Sequence, residues 1–290
     1  MPKEKIDLRN VTLCAVDCLN PVLASRALAL SEKHCLFGET ILLTDKQIDT
    51  HARLVSIPSI SSAAQYSAFI LKELAKHIST PWVLIVQWDG FVLDGGLWTD
   101  HFLEYDYIGA RWPNSPNGMA VGNGGFSLRS TRLLHILAND PRFQPDPAIA
   151  EDVLICRNFR PVLETEYAIR FAPESIADRF SIELTEPAGP TFGFHALFNM
   201  ARLVDVDELR FLAQNAHPAT VASGEFFALW IYCFPPEKVA VAHELYARMR
   251  EVSPPRHIEQ ILIHNGVSRP DAAALVAFFE SKRARAPISV

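Results

Sequence analysis

The chain has 290 residues, of which 49% are apolar, and its 27 Lys and Arg against 33 Asp and Glu give a formal net charge of −6. This length and composition are typical of a globular protein that buries a large core without disulfides or structural metals. The acidic balance, with no dense basic run apart from the short Lys282–Arg285 segment, argues against nucleic acid as a partner.

The predicted elements alternate between strands and helices from the start of the chain. Helices are predicted to begin at Asn20-Pro21 and at Ser61 or Ser62, where capping residues precede apolar positions at helical spacing. The continuous apolar run Trp82–Val86 is typical of a central parallel strand covered on both faces. The other early strands are predicted at Val11–Val16, Thr40–Thr44 and Leu54–Ile57. This alternation predicts an α/β fold, with a mixed, mostly parallel sheet flanked by helices.

The second half of the chain is predicted to become helical. Strands are expected near residues 105–109, 121–128, 169–173 and 180–184, and helices from Ser130 and over 150–159. Beyond residue 202 the pattern predicts helices over 226–233, 238–251, 257–264 and 271–283. We therefore predict a first domain of residues 1–204 and a helical C-terminal subdomain of residues 205–290.

The N-terminus and the cysteines indicate the cellular compartment of the protein. Met1–Lys5 is charged and resembles no signal peptide, and no run approaches the roughly 18 to 20 apolar residues that span a bilayer. We expect no transmembrane segment. Peripheral contact with a membrane surface is compatible with the sequence. Five cysteines, without a Cys-x-x-Cys pair, predict buried thiols in a reducing, cytoplasmic compartment, although Cys14 and Cys18 have the spacing of some zinc ligands.

Polar residues follow three predicted strands directly. Asp17, Asp45 and Gln87-Trp88-Asp89 stand at carboxyl ends, where open α/β sheets bind ligands. A carboxylate such as that of Asp89 can hold Mg²⁺ or Mn²⁺, which in turn screens a diphosphate. Alternatively, Asp89 only caps the turn before Gly90.

The segment Gly122-Asn123-Gly124-Gly125-Phe126-Ser127 is rich in glycine, so its backbone amides can approach an anionic ligand. The segment is not a dinucleotide fingerprint, because Ser127 stands where the third glycine would fall. A turn without a ligand is the alternative.

Glu151 and Asp152 stand at the predicted start of a helix, where unpaired N–H groups favour acids. One of the two carboxylates can instead serve as a general base that deprotonates a hydroxyl. His195 is either a structural histidine or a metal ligand. Trp112, beside Arg111, either stacks on a sugar or packs in the core.

Five segments, taken in order, resemble a bacterial DUF5672-type family, whose members are regarded as GT-A-like glycosyltransferases. These segments are Trp82–Gly90, Tyr107–Ala110, Gly122–Ser130, Glu151–Val153 and Phe192–His195. The resemblance extends over about residues 10 to 200, and Gly-Asn-Gly-Gly-Phe-Ser is its most specific piece. It implies a GT-A-like, Rossmann-like fold.

A more distant similarity to inverting galactosyltransferase-like enzymes implies roles for single residues. Asp89 and His195 would bind the metal, Gly124 and Gly125 would line the sugar donor, and Asp152 would be the base, with Glu151 as the second candidate. The remaining assignments are Gln87, Phe126, Asp17 and Asp45 to the sugar donor, and Trp112 and Arg111 to the acceptor. The usual Asp-x-Asp metal motif is incomplete, because residues 87 and 91 are Gln and Phe.

The sequence thus predicts transfer of a sugar from a nucleoside diphosphate to a hydroxyl of a glycan or lipid-linked acceptor. Inversion at the sugar, a divalent cation and a role in surface polysaccharide synthesis are implied by the resemblance. The alternative is a non-catalytic module of the same fold that binds a nucleotide sugar or a glycan.

Overall fold

The computed structural model describes residues 4–113, 115, 118–186 and 188–283, so part of the basic segment Lys282–Arg285 lies outside the described residues. The chain divides into two compact units, residues 1–196 and 197–290. The second unit begins with the helix Leu197–Leu203.

The first unit contains a six-stranded sheet with strand order β3-β2-β1-β4-β6-β5. Strands β1 to β4 are mutually parallel, whereas β6 runs antiparallel to both of its neighbours. A short parallel pair, β7 and β8, forms a second sheet. The strands are β1 (Ile6–Val16), β2 (Cys35–Thr44), β3 (Arg53–Ser56), β4 (Trp82–Val86), β5 (Tyr107–Ile108), β6 (Phe126–Ser130), β7 (Ser181–Ile182) and β8 (Gly193–Phe194). The predicted α/β fold with a mixed, mostly parallel sheet is confirmed.

The central strands are buried on both faces, as their continuous apolar sequence predicts. In β4, Leu84 packs in one cluster of buried side chains and Val83 and Ile85 pack in the cluster on the opposite face. The helices of this unit are α1 (Pro21–Glu32), α2 (Ala63–Lys72), α3 (Thr131–Asn139), α4 (Glu151–Val153), α5 (Arg160–Tyr167) and α6 (Glu174–Phe180), and a π-helix, Leu154–Asn158, follows α4.

Serine caps begin two of these helices. Ser62 Oγ accepts a hydrogen bond from Gln65 N at 3.2 Å, and Ser130 Oγ accepts one from Leu133 N at 3.1 Å. Both bonds satisfy amides that the first helical turn leaves unpaired. The predicted caps of α2 and α3 are therefore confirmed.

The second unit is helical throughout its named elements. Its helices are α7 (Leu197–Leu203), α8 (Val206–Asn215), α9 (Pro218–Val221), α10 (Gly224–Tyr232), α11 (Val239–Val252), α12 (Pro255–His264) and α13 (Arg269–Arg283). An aromatic cluster forms its centre, where Trp230 of α10 lies 5.1 Å from Phe279 of α13 and 5.5 Å from Tyr246 of α11, measured between ring centroids. Within the described ranges, no helix combines the length and apolar character that crossing a bilayer requires.

Candidate active site

The reversed direction of β6 positions the centre of the site. Because β6 is antiparallel to β4, its first residue, Phe126, pairs with Val86, the last residue of β4. The glycine-rich segment that precedes β6 therefore meets the residues that follow β4. Gln87 N donates a hydrogen bond to Gly125 O at 2.8 Å, which joins these two segments at the carboxyl edge of the parallel strands.

His195 lies at the junction of these segments and contacts two carboxylates from opposite sides of its ring. Its Nδ1 lies 3.0 Å from Glu183 Oε1, and its Nε2 lies 3.4 Å from Asp89 Oδ1 and 3.1 Å from Gln87 Oε1. Asn123 Nδ2 also lies 3.0 Å from Nδ1. Burial disfavours the charged imidazolium, but Asp89 and Glu183 outweigh it and raise the pKa of His195 to about 10.

The pair of Asp89 and His195 has donor chemistry that fits a divalent cation. Two ligands of one small divalent ion lie roughly 3 Å apart in octahedral geometry, close to the separation of these two atoms. The bond from the imidazole to Glu183 is the kind that orients a metal-bound histidine. Over the described ranges, no group of three or more His, Cys, Asp and Glu side chains is arranged to hold a metal, so any ion here would need phosphate or water oxygens as well.

Gly124 and Gly125 make room for the site's own side chains. A Cβ at residue 125 would overlap the imidazole of His195, and one at residue 124 would overlap the carboxylate of Glu151. The segment also uses its amides internally: Gly124 N donates to Asp152 Oδ2 at 3.0 Å, and Phe126 N donates to Asn123 Oδ1 at 3.2 Å. The glycines are thus explained by close packing within the protein.

Asp152 is a partly buried carboxylate held on both of its oxygens. Oδ2 accepts from Gly124 N, and Oδ1 accepts from Val153 N at 2.8 Å. Burial, aided by the neighbouring charge of Glu151, raises the pKa of Asp152 to about 6. A carboxylate with this pKa is suited to accept a proton near neutral pH.

Glu151, the second candidate base, is engaged in a buried ion pair. Its Oε1 lies 2.9 Å from Nη2 of Arg129, and its backbone N donates to Ser67 Oγ at 3.1 Å. Arg129 is 0% exposed and Glu151 is 4% exposed. A carboxylate so committed is a poor acceptor for a substrate proton, which favours Asp152 over Glu151 as the base.

A cavity of about 400 Å³ opens beside the ends of β1 and β4. Asp17 and Gln87 line it, together with Tyr66 of α2 and the residues 61–63 at the start of that helix. Asp17 Oδ1 accepts from Leu19 N and Asn20 N at 2.7 and 2.5 Å, and burial raises the pKa of this carboxyl to about 6. Asp45, the other strand-end acid, does not line this cavity and lies 3.2 Å from Lys46 Nζ.

Arg111 and Trp112 lie in a short bridged segment that also contacts the glycine-rich loop. Arg111 Nε lies 2.8 Å from Asp178 Oδ1, and the Arg157 guanidinium lies 4.5 Å from the centre of the Trp112 ring. A Cβ at Gly122 would overlap the Trp112 ring. These contacts give both side chains structural partners within the first unit.

Sequence reasoning gave no role to Arg129 or Glu183, and it named Asn123 only as part of the glycine-rich segment. A signal existed for Arg129, because a single arginine in the middle of the otherwise uncharged strand Phe126–Ser130 requires a partner once that strand is buried. Glu183 carries no such signal, since it lies in an irregular segment between β7 and β8.

The fold and the site together define an α/β protein with a cluster of acidic side chains around His195 at the carboxyl edge of its sheet. Residues 50–195 match the family described as "Protein of unknown function (DUF5672)", so the chain belongs to this family and the predicted resemblance is confirmed. No curated protein matches the sequence.

Among the solved structures that match the chain, two glycosyltransferases illustrate how low the similarity is. One is the mannosyltransferase PcManGT from Pyrobaculum calidifontis in complex with GDP-Man and Mn²⁺: 13% identity, TM-score 0.40, covering 97% of this chain and 81% of that one. The other is the apo-form glycosyltransferase GlyE of Streptococcus pneumoniae TIGR4: 13% identity, TM-score 0.34, covering 86% of this chain and 64% of that one. Similarity at this level carries no argument about substrates.

Proposed function

We propose that this protein is a glycosyltransferase that moves a sugar from a nucleoside diphosphate to an acceptor hydroxyl. The observation that carries the proposal is that Asp152 and the Asp89–His195 pair contact consecutive residues of one short segment, Gly124 and Gly125. Glycosyl transfer needs both a base for the acceptor and a group that stabilises the leaving diphosphate. We assign the first role to Asp152 and the second to the Asp89–His195 pair.

The proposed reaction is a direct displacement with inversion at the sugar carbon. Asp152 takes the proton of the acceptor hydroxyl as the hydroxyl oxygen bonds to that carbon, and the bond from the carbon to the diphosphate breaks. The hydrogen bonds from Gly124 N and Val153 N hold the carboxylate in place. Activity should rise with pH through about 6, because only deprotonated Asp152 can accept the proton.

Asp89 and His195 are the residues that would hold a divalent cation, Mn²⁺ or Mg²⁺. When bound, the cation would neutralise charge on the leaving diphosphate. Since the pKa of His195 is raised to about 10, cation binding would displace a proton from its ring. The second acid of the Asp-x-Asp motif is replaced by Gln87, whose Oε1 lies beside the same imidazole nitrogen.

The cavity beside Asp17 and Gln87 is our candidate for the nucleoside end of the sugar donor. Its volume of about 400 Å³ is in the range of small-molecule pockets. Gly124, Gly125, Phe126 and Asp45 remain candidates for the same donor, and Gly125 O accepts a hydrogen bond from the backbone N of Gln87, which lines the cavity. Trp112 and Arg111 remain candidates for the acceptor, a glycan or a lipid-linked sugar, and surface polysaccharide synthesis is the process we propose. All five cysteines are unpaired thiols, in keeping with a cytoplasmic location.

A thermal-shift screen followed by a nucleotide-release assay tests the function. The purified chain is screened against nucleoside diphosphates and their sugars, GDP-mannose among them, with Mn²⁺ and with EDTA. A ligand at 100 times its dissociation constant stabilises the folded state by about 2.7 kcal/mol, which the screen detects. Nucleotide release should then fall by about 10²- to 10⁴-fold in Asp152→Asn.

The matched control is Asp49→Asn, which changes an exposed aspartate in an irregular segment and should leave the rate unchanged. A thermal shift without any turnover, unchanged by Asp152→Asn, would instead identify a non-catalytic module that binds nucleotide sugars. No shift with any nucleotide would reject the proposed function altogether.

A further inference from the structure

Arg129 has an unusual position for a side chain with a permanent charge. It lies in the middle of β6, is 0% exposed, and packs its guanidinium 5.0 Å from the centre of the Tyr107 ring. Burial disfavours the charge, but Tyr107 and Glu151 hold the pKa of Arg129 above its ordinary value. Its Nη1 is buried and has no hydrogen-bond partner in the part of the chain that the structure describes.

An arrangement of this kind is costly for stability. Desolvating two charges offsets most of their attraction, so a buried ion pair is often no more stabilising than apolar side chains of the same size. The unpaired Nη1 adds a further cost. Stability alone therefore does not account for an arginine at this position.

The contacts of Arg129 converge on residues 123 and 124 by three routes. Nε donates to Ser127 Oγ at 3.0 Å, and that hydroxyl donates to Gly124 O at 3.1 Å. Nη2 lies 3.5 Å from the hydroxyl of Tyr107, which donates to Asn123 O at 2.9 Å.

The third route runs through the ion pair. Arg129 Nη2 donates to Glu151 Oε1 at 2.9 Å, and this carboxylate packs directly against the Cα of Gly124. Residues 123 and 124 in turn contact both parts of the site: Gly124 N donates to Asp152, and the Asn123 amide lies beside His195.

We propose that Arg129 is a positioning residue: its contacts fix the backbone of residues 123–124. It thereby holds the carboxylate of Asp152 in a constant position relative to the Asp89–His195 pair. Glu151 is its counter-ion and is not the base. The inference deepens the proposed function, on which it rests for the role of Asp152. The dependence of the Asp152 pKa on Arg129 and Glu151 can be measured without turnover.

The experiment is a ¹³C NMR titration of the aspartate carboxyl groups in the full chain, with the Asp152 signal assigned by Asp152→Asn. Wild-type Asp152 should titrate near pH 6. Glu151→Gln removes a negative charge and should lower its pKa by about one unit or more, whereas Arg129→Met leaves Glu151 uncompensated and should raise it. Arg129→Met/Glu151→Gln removes both charges together and guards against failure of the single variant to fold.

The double variant separates positioning from structure. We expect it to stay folded, because no charge is left buried without its partner, yet to lose nucleotide release by about 10²-fold or more, because misplaced catalytic groups cost this much. If instead every folded variant keeps the Asp152 titration within the error of the wild type, the positioning role is rejected. If the titration shifts as expected but the wild type releases no nucleotide, only the proposed function fails.

Discussion

Gly125 lies against the imidazole of His195, and residue 125 has room for a hydrogen atom but not for a methyl group. This contact within the protein explains why residue 125, the second residue of the Gly-Gly pair, is a glycine. It also makes the position of His195, and hence its contacts with Asp89 and Glu183, depend on the backbone of the loop that carries Asn123 and Gly124.

Gly125→Ala should therefore disturb the site more than a methyl group usually does. The added Cβ overlaps the ring of His195, and we expect a loss of stability of about 1 to 3 kcal/mol in urea unfolding. The thermal shifts that nucleotides produce in the wild type should be absent in Gly125→Ala. Gly224→Ala is the matched control, since a Cβ there meets nothing within 4 Å. Equal behaviour of the two variants would contradict the packing argument.

The raised pKa of Asp152 predicts a pH dependence of stability. In the folded chain this carboxyl titrates near pH 6, whereas in the unfolded chain it titrates near its ordinary value of about 3.8. Between these values the folded state binds more protons, so the contribution of Asp152 to stability is present below the unfolded pKa and is lost as pH rises through 6.

The measurement is the free energy of unfolding of the wild type minus that of Asp152→Asn, at pH 4 and at pH 7. We expect this difference to fall as the pH rises, because only the wild type has a carboxyl at residue 152. A difference that grew with pH would mean that Asp152 has a lowered pKa in the folded chain.

Cys18 offers a direct test of the cavity beside β1. It lines the cavity and is partly exposed, whereas Cys14, Cys35, Cys156 and Cys233 are buried. A thiol reagent should modify Cys18 first, and faster as the pH rises, since burial raises the pKa of this thiol. A bound nucleoside diphosphate should slow the labelling, read by mass spectrometry, and Cys18→Ser should abolish the fast phase. Labelling at an unchanged rate with saturating nucleotide would place the nucleotide elsewhere.

Ala168 ends α5 with left-handed backbone angles, φ 49° and ψ 37°, which disfavour any residue with a Cβ. Ala168→Gly should stabilise the protein by about 1 kcal/mol, because relief of the left-handed strain, about 1 to 2 kcal/mol, exceeds the entropic cost of about 0.4 to 1 kcal/mol that glycine adds through the unfolded chain. Ala247→Gly, within the long helix α11, is the control and should destabilise by about 1 kcal/mol. Destabilisation by both variants would mean that residue 168 is not strained.

Much of the sheet could be predicted from the sequence, because central parallel strands leave an unmistakable apolar pattern. Trp82–Val86 appears as β4 with the predicted bounds. Strand ends that pair with only one neighbouring strand were harder to predict. β1 begins at Ile6, five residues before the predicted start at Val11, in a stretch where exposed Asp7 and Arg9 interrupt the apolar pattern. The helix predicted over 150–159 is followed directly by α5, which has Pro161 in its first turn, where a proline loses no hydrogen bond.

The site was predictable in its parts and not in its connections. Strand-end position indicated Asp17 and Asp89, and the Gly-Gly pair indicated a close approach, but the sequence could not say that the approaching groups are His195 and Glu151. Those contacts depend on the reversal of β6 and on packing between segments that are distant along the chain. Neither the periodicity nor the spacing of residues in the sequence predicts these contacts.

The π-helix at Leu154–Asn158 begins two residues after Asp152. A π turn holds one residue more than an α turn, so the chain here is one residue longer than a regular helix would need. Deleting one residue of this turn would let the helix tighten to α geometry, and the residues on either side would keep their facing, whereas the same deletion in a regular helix would rotate them by about 100°. The carboxyl group of Asp152 would therefore still face Gly124. In this stretch the chain should tolerate the loss of one residue better than within a regular helix such as α11.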